Sequence, residues 1–296
     1  MGLEMMRPAR YNERRMKRAL LLISLLLTAC QKDETEQPTT PQAMYDKAQA
    51  LLQPNVENPE SDFAGALHWL RQSAEAGLQR AQLDLGGICF AGGHGQKVDM
   101  QQAFDWFSKA AAQGSKEAEV FLGIIQYEGL QGKKNVESAL NHWRNAAGAG
   151  IADAQYRLGR VLAQAEDTRK EGIEWLTKAS AAVPQASTAL GNLYYKYLEN
   201  QEAAAAWFEK GALAGDPLAQ HIFAEMLLLG EPVEKDVERG LAMLRMAAGQ
   251  DYKPAMARLI NVLRNATNAA DYENEAAAWD ARLQELMKSA PAPEQK

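Results

Sequence analysis

The sequence is poor in the residues that cross-link a fold or coordinate a metal. Two cysteines, Cys30 and Cys89, in 296 residues cannot build a disulfide framework, so packing must carry the stability. The four histidines, His68, His94, His142 and His221, lie far apart. None belongs to a His-x-x-x-His or Cys-x-x-Cys pattern that would set two ligands on one helix face, and no metal is expected. Aromatic residues make up only 7% of the chain, and runs rich in Val, Ile and Thr are almost absent, which argues against sheets. Gly-x-Ser-x-Gly does not occur. The turn Gly92-Gly93-His94-Gly95 lacks the Lys-Ser/Thr of a phosphate loop and follows a helical pattern, not a strand. No carboxylate pair stands apart from ordinary solvated helix charges. Neither catalysis nor a cofactor is expected.

The uncharged apolar run from Ala19 to Ala29 has eleven residues, well short of the ~20 that a bilayer-spanning helix needs. Preceded by Arg14, Arg15, Lys17 and Arg18, it has the layout of a signal peptide. It ends in Leu27-Thr28-Ala29-Cys30, which resembles the lipobox of bacterial lipoproteins. That resemblance implies a signal peptide over residues 1–29 and a lipidated Cys30 as first mature residue, anchored through several acyl chains. Residues before Met16 are superfluous to such a signal, so Met16 is the expected start. An aspartate after the cysteine commonly marks inner-membrane retention in such lipoproteins. Gln31 stands there instead, implying an outer-membrane anchor facing the periplasm.

Removing residues 1–30 takes six Lys/Arg and two Asp/Glu from the chain's 32 and 38, leaving a net charge near −10. Such a surface suits neither nucleic acid nor anionic lipid. Residues 30–41 are polar and proline-bearing, with nothing to bury beyond the cysteine, and read as a flexible tether. Residues 289–296 are expected to be a disordered tail.

Between these ends the sequence repeats. A leucine recurs at Leu85, Leu122, Leu158, Leu190 and Leu259, with Phe223 in its place once, at periods of 37, 36, 32, 33 and 36. A second marker runs through Trp69, Trp106, His142, Trp175, Trp207, Met243 and Trp279 in phase with it. Each period holds two amphipathic helical stretches, for example Leu85, Ile88 and Cys89 on one face and Ala103, Trp106, Phe107 and Ala110 on the other. Glycines at 77, 114, 150 and 215 stand where a helix needs a left-handed terminal residue. The expected fold is all-α: a right-handed superhelical solenoid of about seven antiparallel helix pairs over residues 42–288. Small residues at Gly86, Gly123, Gly159, Gly191 and Ala224 are expected to let helices approach closely. The tryptophans are expected to pack in the core and not to stack on a ligand, so that truncating Trp106 would cost about 3–5 kcal/mol.

From Ala81 to Gly114 the pattern Ala-x-x-x-Leu-Gly, a Gly-rich turn, then Ala-x-x-Trp-aromatic-x-Lys-Ala-Ala-x-x-Gly resembles the Sel1-like repeats, relatives of tetratricopeptide repeats. The units from Ala118 and Ala219 match well. Those from Ala154 and Ala186 are shorter, with Val183 where the terminal glycine should stand. The resemblance implies a protein-binding scaffold, lipid-anchored in the envelope and serving assembly or export of an envelope component. It leaves two alternatives: a cell-wall or β-lactam-related hydrolase or binder, which in such proteins relies on paired cysteines this chain lacks, and a binder of host proteins at the cell surface. Solenoids bind on their concave side, usually lined by the first helix of each pair. Candidate partner-binding residues there are Asp84, Arg157, Arg160 and Glu225, with Tyr195 and Tyr197 added because tyrosine is enriched in interface hot spots. Cys89 is read as a small buried hydrophobe and Tyr194 as core.

Overall fold

The computed structural model describes residues 38–53, 62–93, 95–267 and 269–289. The expected signal peptide, Cys30, most of the tether, His94 and nearly all of the expected tail lie outside them. The described residues contain fourteen α-helices, no strand, and one isolated bridge between Gly93 and Gln96. They divide into two compact units, one ending at Ala81 and the other running from Gln82.

The first unit holds α1 (Pro41–Leu51) and α2 (Phe63–Glu75), packed against each other. Proline at the first position of α1 costs no helical hydrogen bond, and Thr40 caps the helix by accepting from the Ala43 N–H at 3.2 Å. The Ser73 hydroxyl of α2 donates to the Pro41 carbonyl at 2.6 Å, closing the pair over Ala48, Ala66, Leu70 and Ala74.

The second unit opens within α3 (Gln79–Ala91). It continues through α4 (Met100–Ala112), α5 (Lys116–Glu128), α6 (Val136–Gly148), α7 (Ala152–Leu162), α8 (Arg169–Ala179), α9 (Pro184–Lys196) and α10 (Gln201–Leu213). After these come α11 (Pro217–Leu229), α12 (Val237–Ala248), α13 (Lys253–Arg264) and α14 (Glu273–Lys288). Within this unit consecutive helices pair and each pair stacks on the next, giving a solenoid.

Local chemistry sets the ends of these helices. Asp99, Asn135, Asn200 and Asp236 cap the second helices α4, α6, α10 and α12, each side chain accepting from a backbone N–H three residues on. Those second helices end in Schellman turns. After α4, for example, the Gly114 N–H reaches Ala111 O at 2.8 Å and the Ser115 N–H reaches Ala110 O at 3.1 Å. The turn needs a positive φ, and Gly114, Gly150 and Gly215 supply it at +95°, +91° and +96°.

The core is built by sockets. A Cβ on Gly86 would lie 2.7 Å from the Phe107 ring, one on Gly159 2.8 Å from Leu176, and one on Gly191 2.7 Å from Phe208, while one on Gly123 would run into Trp143 Nε1. Each glycine of a first helix thus receives the large side chain of its own second helix. The second helix then turns its alanines to the next pair: Ala103, Phe107 and Ala110 cluster with Ala118, Leu122 and Ile125, where Phe121 stacks on Phe107 at 4.6 Å. Ala81, Ala118, Ala154, Ala186, Ala219 and Ala255 are all fully buried.

The tryptophan marker lies one residue away from the core position. Phe107, Trp143, Leu176, Phe208 and Leu244 fill it, whereas Trp106, Trp175 and Trp207 are half-buried at its margin. Trp175, Trp207 and Trp279 pack against the hydrophobic clusters from outside. Lysines shield the outer faces, Lys109 lying 3.8 Å from the Trp106 centroid and Lys178 4.1 Å from that of Trp175. Trp106, Trp175 and Trp207 are therefore packing residues of the rim and not of the core as expected, and the tryptophan that fills the core position is Trp143.

Candidate protein-binding groove

Toward the C-terminal end of the array the first helices of successive pairs touch directly: α9 lies against α11, and α11 against α13. Between α9 and α11 runs a groove of about 400 Å³. Phe208, 2% exposed, and Met226 form its floor beside Ile222. Asn192 and Tyr195 of α9 make one wall. Glu225 and Leu229 of α11 make the other, closed by Gln201 and by the cis Glu231–Pro232 pair. The pair comes there because Gly230, at φ +82°, ends α11 in a left-handed cap whose N–H reaches Met226 O at 2.9 Å.

Two large side chains in this groove remain open to water, Tyr195 at 57% and Leu229 at 67%. Glu225 spends both oxygens on Arg258, at 2.6 and 3.0 Å, and Arg258 also donates to Asn261 at 3.3 Å. One turn before Glu225, His221 meets the Tyr252 ring edge-on at 5.9 Å, with its Nδ1 buried and without a hydrogen-bond partner. Burial pushes its pKa below the usual imidazole value, and Arg258 adds to this while Glu225 opposes it.

Of the residues singled out from sequence, the structure brings Tyr195 and Glu225 into this one groove. The others lie outside its lining. Asp84 is half-buried on α3. Arg157 is bonded along its own helix to Asp153 at 2.8 Å, and Arg160 lies over the Tyr156 ring at 5.4 Å. Arg169 lies 4.5 Å and Lys196 5.1 Å from the Tyr197 ring, which stays 41% exposed. Tyr194 packs between two clusters, and Cys89 is half-buried against the Phe107 cluster. Sequence reasoning missed Ile222, Met226, Leu229 and Glu231. The available signal was the end of α11, where Met226-Leu227-Leu228-Leu229 carries more apolar residues than one buried stripe requires.

The lining offers apolar surface, amides and carboxylates, and includes no Ser, Thr, Cys, Lys or His. Among the described residues no cluster of His, Cys, Asp and Glu could hold a metal ion, and no helix is long and apolar enough to cross a membrane.

The family described as Sel1 repeat matches residues 41–78, 79–115, 116–151, 152–182, 184–216 and 217–252. This chain is a Sel1-repeat protein. Its six matched Sel1 repeats coincide with the first six helix pairs, and α13 with α14 adds a seventh pair beyond them. Two solved structures share the fold. One is a protective antigen of uropathogenic Escherichia coli with an SLR fold, 25% identical, at a TM-score of 0.68 over 86% of this chain and 58% of that one. The other is a Sel1 repeat protein from Oxalobacter formigenes, 22% identical, at a TM-score of 0.67 over 83% of this chain and 98% of that one. The present chain thus spans little more than half of the antigen's length. No curated protein matches it. A Sel1-repeat array is a scaffold suited to protein–protein interaction.

Proposed function

We propose that this protein is a lipid-anchored scaffold of the bacterial envelope, tethered through Cys30 to the outer membrane on its periplasmic side. There it holds a protein partner during assembly or export of an envelope component. The carrying observation is the α9–α11 groove, a preformed apolar concavity that leaves Tyr195 and Leu229 exposed. Large exposed apolar side chains gathered in one concavity mark interaction sites. The anchor rests on the order of basic flank, apolar run and Leu27-Thr28-Ala29-Cys30.

Two measurements test the two halves. A photo-crosslinking amino acid at position 195, activated in living cells, is expected to trap a specific envelope protein. Trapping nothing beyond abundant background refutes the scaffold. Cys30→Ser is expected to leave the chain unacylated by intact mass and to move it from the membrane fraction to the soluble one; a variant that stays membrane-bound refutes the anchor.

A second reading has one observation in its favour, the similarity to an Escherichia coli protein described as a protective antigen. It would place the scaffold on the cell surface, bound to host proteins. Protease added to intact cells separates the two, since only a surface-displayed chain is cut.

A further inference from the structure

The α9–α11 groove joins an apolar floor to two carboxylates, Glu225 and Glu231, and its lining carries no cation. Glu225 is matched by Arg258. Glu231, on the lip, forms no ion pair among the described residues, nor do Glu199 and Glu202 on either side of the lining residue Gln201. Of the cations nearby, Arg258 holds Glu225 and Lys196 lies over the Tyr197 ring, while Lys235, on the same turn as Glu231, lines a different cavity and not this groove. An occupant that left Glu231 buried and unmatched would incur its desolvation penalty, whereas one carrying a cation there would gain a charge-assisted contact.

Deepening the scaffold reading above, we propose that this groove docks a short partner segment in which a large apolar side chain stands next to a lysine or arginine. The apolar side chain enters between Tyr195 and Leu229 onto Phe208 and Met226, and the cation meets Glu231. The volume, about 400 Å³, falls within the ~300–1,000 Å³ of pockets that engulf compact ligands. Covering Tyr195 and Leu229 removes the largest exposed apolar surface of the groove from water, which supplies the affinity. The one-signed rim supplies the selectivity, because acidic segments meet like charge there.

The test is a selection of phage-displayed random dodecapeptides on the full mature chain, run in parallel on Tyr195→Ala/Leu229→Ala and on Glu231→Lys. Because Tyr195, Leu229 and Glu231 lie at the surface, the variants should keep the wild-type helical circular dichroism, with Glu231→Gln as a milder second change. Selected peptides are expected to carry a large apolar residue beside Lys or Arg. They should bind the double variant at least about ten-fold more weakly, a loss typical of a hot spot. Glu231→Lys should turn the selected charge to Asp or Glu, and Glu231→Gln should abolish the charge preference. Enriched peptides without a basic residue, no enrichment at all, or affinities unchanged in the folded variants would overturn the proposal. The crosslink at position 195 keeps the two readings apart. A trapped partner whose crosslinked segment has no basic residue sinks this inference and leaves the scaffold standing. Peptide specificity without any cellular crosslink does the reverse.

Discussion

Replacing Gly191 by alanine tests the socket rule of the core. On propensity alone, alanine inside a helix should stabilise by about 0.5–1 kcal/mol over glycine. In the structure, however, the new Cβ would stand 2.7, 2.8 and 2.9 Å from three ring carbons of Phe208, against the ~3.5–4.0 Å of a relaxed carbon contact. The ring would have to recede by about 1 Å, and it is 2% exposed among Ala205, Ala212, Phe223 and Ala224. Overpacking of this kind costs about 1–3 kcal/mol, which outweighs the propensity gain. The same substitution at Gly87 or Gly148, where a Cβ would meet nothing within 4 Å, serves as the internal control and should be neutral or stabilising. Urea unfolding followed by circular dichroism reads the difference as a shift in midpoint, lower for Gly191→Ala and unchanged or higher for the two controls. Phe208→Leu, added to Gly191→Ala, should recover part of the loss, because the smaller side chain frees the socket. If Gly191→Ala raised the midpoint as Gly87→Ala does, the account of glycine as a socket would be wrong.

Further expectations follow from the same geometry. Phe107→Ala should cost about 3–5 kcal/mol, clearly more than Trp106→Ala, and equal losses in urea unfolding would contradict the displacement of the core by one residue from the tryptophan marker. His221 favours its neutral form in the fold, with a pKa below the ordinary 6.5. The unfolded chain therefore takes up the proton first, so the histidine's contribution is intact above that pH and is lost as pH falls through the folded value. His221→Gln should flatten the stability profile in that window, and an unchanged slope would count against the half-buried neutral imidazole. Glu275 receives two hydrogen bonds from Arg245, at 2.7 and 2.8 Å, which hold its carboxyl below the ordinary 4.5, with help from Trp279. That contribution is present above the ordinary value and disappears as pH falls through the folded one, so Glu275→Gln should lose stability at neutral pH and show a shallower acid limb of the melting curve.

The period, the helix pairs, their terminal glycines and the glycine sockets were legible in the sequence because each is enforced by short-range rules. A Schellman turn needs its glycine within one residue of the helix end, and a close helix contact needs a small residue at a fixed phase. The same reasoning placed the core on the tryptophans because Trp106 and Phe107 share a helical face closely enough that periodicity does not separate them. Only the burial of Phe107, set by where Gly86 sits across the pair, decides between the two.

For the candidate site the division is sharper. Sequence alone marked Tyr195 and Glu225, since tyrosines outside the apolar stripe and polar residues on first helices stand out in any repeat. It treated Asp84, Arg157, Arg160, Tyr197 and Glu225 as available side chains. The fold gives Arg157 to Asp153, Arg160 to the Tyr156 ring, Tyr197 to Arg169 and Glu225 to Arg258. Leu229 and Glu231 became part of a groove only through the direct approach of α11 to α9 and the left-handed turn at Gly230. What each repeat does within itself is a matter of neighbouring residues, and the sequence determined it. What two repeats enclose between them depends on partners some thirty residues apart, and only the tertiary structure decided it.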